Sequence, residues 1–162
     1  MKGTHLIEVA YKPGVTDPLG NGLKREIDHL GLAKVGDVRT GQLYRIVGDL
    51  AREERDRIAR DLLCDPVVQD FHDGSLSLIG GGKKKSASRM VVDVWYKSGV
   101  TDVIGESVLK GIKDLNVAAV STVRTGARYR FDGLKKKEAA EKLTLALLAN
   151  PLVHDYAIHA EE

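Results

Sequence analysis

Tyr11-Lys12-Pro13-Gly14-Val15-Thr16-Asp17 recurs 85 positions later as Tyr96-Lys97-Ser98-Gly99-Val100-Thr101-Asp102, and this repetition decides the fold. The register then holds along the chain. Val38-Arg39-Thr40-Gly41 matches Val123-Arg124-Thr125-Gly126, and Tyr44-Arg45 matches Tyr129-Arg130. Asp65-Pro66-Val67-Val68-Gln69-Asp70-Phe71 matches Asn150-Pro151-Leu152-Val153-His154-Asp155-Tyr156. Blocks in constant register do not arise by chance, and no net insertion separates them. The chain reads as a tandem duplication, with one module over 4–79, a linker over 80–88 and a second module over 89–162. The linker, Gly80-Gly81-Gly82-Lys83-Lys84-Lys85-Ser86-Ala87-Ser88, joins flexible residues to a like-charge run that extends a coil. Its lysines read as solvated charge; a basic patch for phosphate is the competing reading.

Each module spells β-α-β-α-β. Ile7, Val9 and Tyr11 alternate in the first strand, as Val92, Val94 and Tyr96 do in its copy. Asp17 suits an N-cap and Pro18 the first helical position, where a missing N–H costs nothing. Leu19, Leu23, Ile27 and Leu30 recur at helical spacing up to Gly31; the copy has Ile104, Val108, Ile112 and Leu115 up to Asn116. A second strand is expected over about 35–47 and 120–132. Gly41 and Gly126 inside it suggest a bulge or a close backbone approach. Beyond the glycine, Tyr129 and Phe131 point one way, Arg128 and Arg130 the other. A second helix follows over about 51–63 and 135–148 until Pro66 and Pro151 stop it, and a third strand closes each module. The fold class is α+β: two tandem modules, each a small sheet with two helices on one face, packed as a pseudo-dimer because one module alone buries little core.

Bulk composition narrows the function. With 25 basic against 23 acidic residues, the net charge of +2 gives no ground for nucleic acid or an anionic membrane as partner. One cysteine, Cys64, excludes an intramolecular disulfide and fits a reducing compartment. No apolar run nears the roughly 20 residues of a membrane helix, and Met1 to His5 lead straight into a strand. A soluble, cytoplasmic protein is expected.

No catalytic constellation emerges. His5, His29, His72, His154 and His159 form no metal-ligand pattern, and His154 and His159 fall on opposite faces of one strand. No phosphate-binding glycine motif or nucleophile elbow is present. Gly20-Asn21-Gly22 reads as helix packing, and Asp17 and Asp102 as caps rather than acid–base groups. No catalytic residue, metal or cofactor is expected. What remains is a set of interface candidates kept by both copies: Arg39, Gly41, Tyr44 and Arg45, with Arg124, Gly126, Tyr129 and Arg130. One reading is a solvated or ion-paired strand face. The other is a binding surface, because a guanidinium beside glycine on an edge strand forks a carboxylate or phosphate well.

Gly14-Val15-Thr16-Asp17-Pro18-Leu19-Gly20 resembles the G-V-x-D-P-x-G segment that opens the first helix of PurS proteins, the small subunits of phosphoribosylformylglycinamidine (FGAM) synthase. Val38-Arg39-Thr40-Gly41 resembles their V-R-x-G. Leu62 to Phe71, and more closely Leu147 to Tyr156, resemble their L-L-A-N-P-V-I-E-D-Y ending. The chain departs from the family in three ways. Gln42 and Ala127 stand where lysine is usual, Val103 replaces the proline after Asp102, and two modules share one chain. The resemblance implies a non-catalytic subunit of a purine-pathway ligase that uses ATP and glutamine. Its expected partners are the ATP-dependent synthetase (PurL) and the glutaminase (PurQ), which it bridges as a pair while ammonia passes between them. Self-association of the duplicated chain stays open. Two other classes remain: a duplicated small-molecule-binding regulatory domain, and a nucleic-acid module using Arg39, Arg45, Arg128, Arg130 and the lysine runs. Low net charge and the lack of an aromatic stacking platform count against the latter.

Overall fold

A computed structural model describes residues 3–75, 89–117 and 119–161. The expected linker, 80–88, lies outside the described residues, as does the end of the first module from 76 on. Among the described residues, six strands and four α-helices run in the order β1 (Gly3–Tyr11), α1 (Pro18–Leu30), β2 (Val38–Gly48), α2 (Arg52–Ile58), β3 (Gln69–Asp73), β4 (Arg89–Tyr96), α3 (Val103–Asp114), β5 (Val120–Asp132), α4 (Lys137–Leu143) and β6 (His154–Glu161). This is β-α-β-α-β twice. The second helix of each module is shorter than expected as an α-helix. It widens into a π-turn over Ala59–Leu63 and Thr144–Leu148 before the proline.

The local signals act as chemistry requires. Asp17 accepts a hydrogen bond from the Gly20 N–H (2.9 Å), and Asp102 from the Gly105 N–H (2.8 Å), which caps α1 and α3. Gly31 and Asn116 end the two helices at left-handed φ values of 65° and 62°. The expected apolar stripe holds only in part. Ile27 and Ile112 are fully buried, whereas Leu19, Leu30 and Ile104 face solvent. The cause is Gly20, and Gly105 in the copy. A Cβ on either would strike the Val38 or Val123 carbonyl, so the helix presses its glycine onto the sheet and turns its leucines aside.

The expected pair of small sheets is one continuous antiparallel sheet of order β3-β1-β2-β5-β4-β6. The two modules meet through β2 and β5, which pair over their whole length. The register is that of a two-fold. Val38 faces Phe131, Ile46 faces Val123, and at the axis Gln42 faces Ala127, its own counterpart. All four helices cover one face. The hydrophobic cores do not respect the module boundary. Ile7, Val9, Tyr44, Ile46 and Ile58 of the first copy pack with Ile112 of α3, while Ile27 of α1 packs with Met90, Val92, Phe131, Ala140 and Leu143 of the second. Each copy thus completes the other's core, and burying each Val, Leu, Ile, Phe or Met side chain there contributes about 1.5–3 kcal/mol.

Candidate functional site

The interface candidates gather at the β2–β5 seam, in the middle of the sheet. The expectation of an edge strand is therefore corrected: the row of backbone groups that an edge would offer is taken by the other copy. Nor do Gly41 and Gly126 mark a bulge. The ladder runs through both in register, and its only shift lies at Val47 and Gly48. Gly41 instead makes room for a side chain, and Gly126 for a side chain and for the close approach of the Val94 carbonyl. A Cβ on Gly41 would overlap the Glu8 carboxylate, and one on Gly126 would meet the Trp95 ring and the Val94 carbonyl oxygen, each at 2.7 Å.

Arg39 and Arg124 do the same work in both copies. Arg39 donates to the carbonyls of Val15 (2.9 Å), Lys12 (3.3 Å) and Tyr11 (3.4 Å). Arg124 donates to those of Val100 (3.1 Å), Lys97 (2.9 Å) and Tyr96 (3.4 Å). Each fork fastens the turn after the first strand of its own module, so its hydrogen bonds do not await a foreign carboxylate. Beside it the helix cap doubles as a sheet anchor. Asp17 also accepts from Thr40 N (2.7 Å) and Oγ1 (2.9 Å), and Asp102 from Thr125 N (2.6 Å) and Oγ1 (2.9 Å). Tyr44 and Tyr129 point to the helix side, and burial raises the pKa of both phenols.

On the helix-free face the symmetry breaks. Glu8, in the apolar run Leu6-Ile7-Glu8-Val9-Ala10, is fully buried. It reaches across β2 to accept from Arg130 (2.5 and 2.8 Å) and Arg128 (2.9 Å) of the other copy. Arg128 is forked by Asp93 (2.7 and 2.9 Å) and donates to the Gly74 carbonyl (2.8 Å). His72 Nε2 stands 3.4 Å from Glu8 as an electrostatic contact rather than a hydrogen bond. Burial pushes the Glu8 carboxyl up. The contacts from Arg130 and His72, with the Arg130 and Arg128 charges, outweigh it and hold the pKa at about 2. The pseudo-symmetric place differs in kind: Asp93, Leu43 and Ala157 replace Glu8, Arg128 and His72. Arg45, the counterpart of Arg130, there stacks 4.0 Å over Trp95. The ion-paired reading of the strand face thus describes Arg130, and sequence reasoning missed Glu8. The signal was an acid within an apolar strand.

The site holds charges that fasten one copy to the other. Among the described residues, no three His, Cys, Asp or Glu side chains converge as metal ligands, and no helix is long and apolar enough to cross a membrane. Fold and seam together define a class: a duplicated α+β pairing module whose two-fold interface lies inside one chain. The chain belongs to the PurS family of phosphoribosylformylglycinamidine (FGAM) synthase, whose family model matches residues 5–73 and again 89–162. It is accordingly an FGAM synthase subunit of purine biosynthesis. Among solved structures it is similar to PurS of B. subtilis, at 25% identity and a TM-score of 0.43 over 46% of this chain and 99% of that one. It is also similar to PurS of Methanocaldococcus jannaschii, one of the subunits of formylglycinamide ribonucleotide amidotransferase, at 27% identity and a TM-score of 0.35 over 46% of this chain and 96% of that one. No curated protein matches the chain.

Proposed function

We propose that this chain is the non-catalytic structural subunit of a cytoplasmic FGAM synthase, bridging the ATP-dependent synthetase (PurL) and the glutaminase (PurQ) and supporting ammonia transfer between them. The observation that carries this reading is the pair of PurS units joined in two-fold register across β2 and β5. Fusion makes pairing intramolecular, so the bridge does not depend on the concentration of a second small subunit. Candidate contacts are apolar positions that both copies keep exposed: Val67 and Leu152, at 79% and 83% exposure, and Leu19 and Ile104. Solvent gives no reason to retain them twice, whereas a partner surface does. Arg39 and Arg124 serve this surface by fixing the turns beside it, and the seam residues Gly41, Tyr44, Arg45, Gly126, Tyr129 and Arg130 keep the two contact regions at a set distance.

The test is co-purification with the cognate synthetase and glutaminase. The parent chain is expected to yield a ternary complex. A Val67→Asp/Leu152→Asp variant is expected to melt normally, because both side chains are solvent-exposed, and to lose a partner. A synthetase–glutaminase complex that forms equally well without the chain would refute the bridging role.

A further inference from the structure

The duplication supplies an internal control for every position, and one place fails the comparison. In the second copy, the angle between the second helix and the outer strands is closed by hydrocarbon. Met90, Val92 and Ala140 are buried, and Tyr156 and Ile158 pack against them. The counterparts in the first copy are His5, Ile7, Arg55, Phe71 and Asp73. Three apolar residues have become an imidazole, a guanidinium and a carboxylate, and a cavity of about 640 Å³ lies between them. Its volume is that of small-molecule sites. The apolar floor is Ile7, Ala59 and Phe71; Arg52 stands at the rim.

Two guanidinium groups and two imidazoles line this cavity against two carboxylates, Asp56 and Asp73. Arg52 makes no hydrogen bond or ion pair with any described residue; Arg55 lies 3.7 Å from Asp56, and its charge also acts on Asp73. Of the acids, Asp73 Oδ1 is taken by the Ser75 N–H (2.9 Å) and hydroxyl (2.6 Å). A guanidinium pair beside an imidazole, over a hydrocarbon floor, matches an oxyanion on an organic body. We propose that the first copy alone carries a binding site for a small organic anion with a carboxylate or phosphate headgroup, held by Arg52, Arg55 and His5. The site is one per chain and lies apart from the seam, so it stands or falls independently of the bridging role.

The experiment titrates the full chain with inorganic phosphate and, separately, succinate, up to roughly 10 mM at constant ionic strength, by calorimetry and thermal shift. The expected result is saturable binding of at least one probe, one per chain. Arg52→Ala should weaken it about tenfold or more, the scale of one lost charge-assisted contact. Lys137→Ala, the equivalent change in the second copy, should leave it unchanged. His5→Met/Arg55→Ala/Asp73→Ile, which imports the second copy's residues, should abolish binding while raising the melting temperature. No saturable binding of either probe, two sites per chain, or binding indifferent to both the Arg52 change and the closing variant would overturn the proposal.

Discussion

Glu8→Gln isolates what holds the two copies together. Arg130 is 2% exposed, gives both terminal guanidinium nitrogens to Glu8, and has no partner for its Nε. Glutamine keeps the shape but removes the charge, leaving a buried guanidinium uncompensated, which costs about 3–5 kcal/mol. A chain of this length loses roughly 2–4 °C of melting temperature per kcal/mol, so a fall of about 6–20 °C is expected at pH 7. Arg128 limits the damage, since Asp93 and the Gly74 carbonyl still hold it. Replacing both members, Glu8→Leu with Arg130→Met, should recover most of the loss, because the buried Arg130 charge goes with its partner and Arg128 keeps Asp93 as counter-ion. Scanning calorimetry of the parent, Glu8→Leu alone, Arg130→Met alone and the double variant gives the coupling directly. A Glu8→Gln melting temperature within about 2 °C of the parent would refute the reasoning.

The same carboxylate sets the acid response. Its folded pKa of about 2 lies below the ordinary 4.5, so its stabilisation is complete above about pH 5 and is lost as pH falls toward 2. The size is roughly 3 kcal/mol. Acid titration of the unfolding free energy should show that step, and Glu8→Gln should lack it. Asp17→Ala and Asp102→Ala should each cost about 2–4 kcal/mol in urea unfolding, because a cap and a strand N–H lose their acceptor together. Gly20→Ala should destabilise despite alanine's helix preference of about 1 kcal/mol, since the new Cβ meets the Val38 carbonyl; a stabilised variant would contradict the close helix–sheet contact. The purified chain should hydrolyse neither ATP nor glutamine above a mock preparation.

Much of this architecture was legible because it is local. Alternation over Ile7, Val9 and Tyr11, the Asp17-Pro18 helix start and the Pro66 stop specify elements with no knowledge of the rest of the chain. The constant offset announced the pairing of two copies. It could not announce the strand through which they pair, because antiparallel register at the seam is a long-range choice. That choice moved Arg39 and Gly41 from an expected edge to the centre of the sheet. It also turned Arg130 from a residue on an open face into one of the most buried. Glu8 was missed for the same reason: its partners lie 120 and 122 positions away. Leu19 was misplaced because helical spacing ranks leucine above glycine for the buried face, and here the close approach of backbone reverses that order.

The most direct test of the central claim is amidine formation by reconstituted synthetase and glutaminase, with and without this chain, using glutamine or ammonium as nitrogen source. The account predicts that ammonium supports the reaction in either case, while glutamine supports it only when the chain is present. Equal glutamine-dependent rates with and without the chain would contradict it.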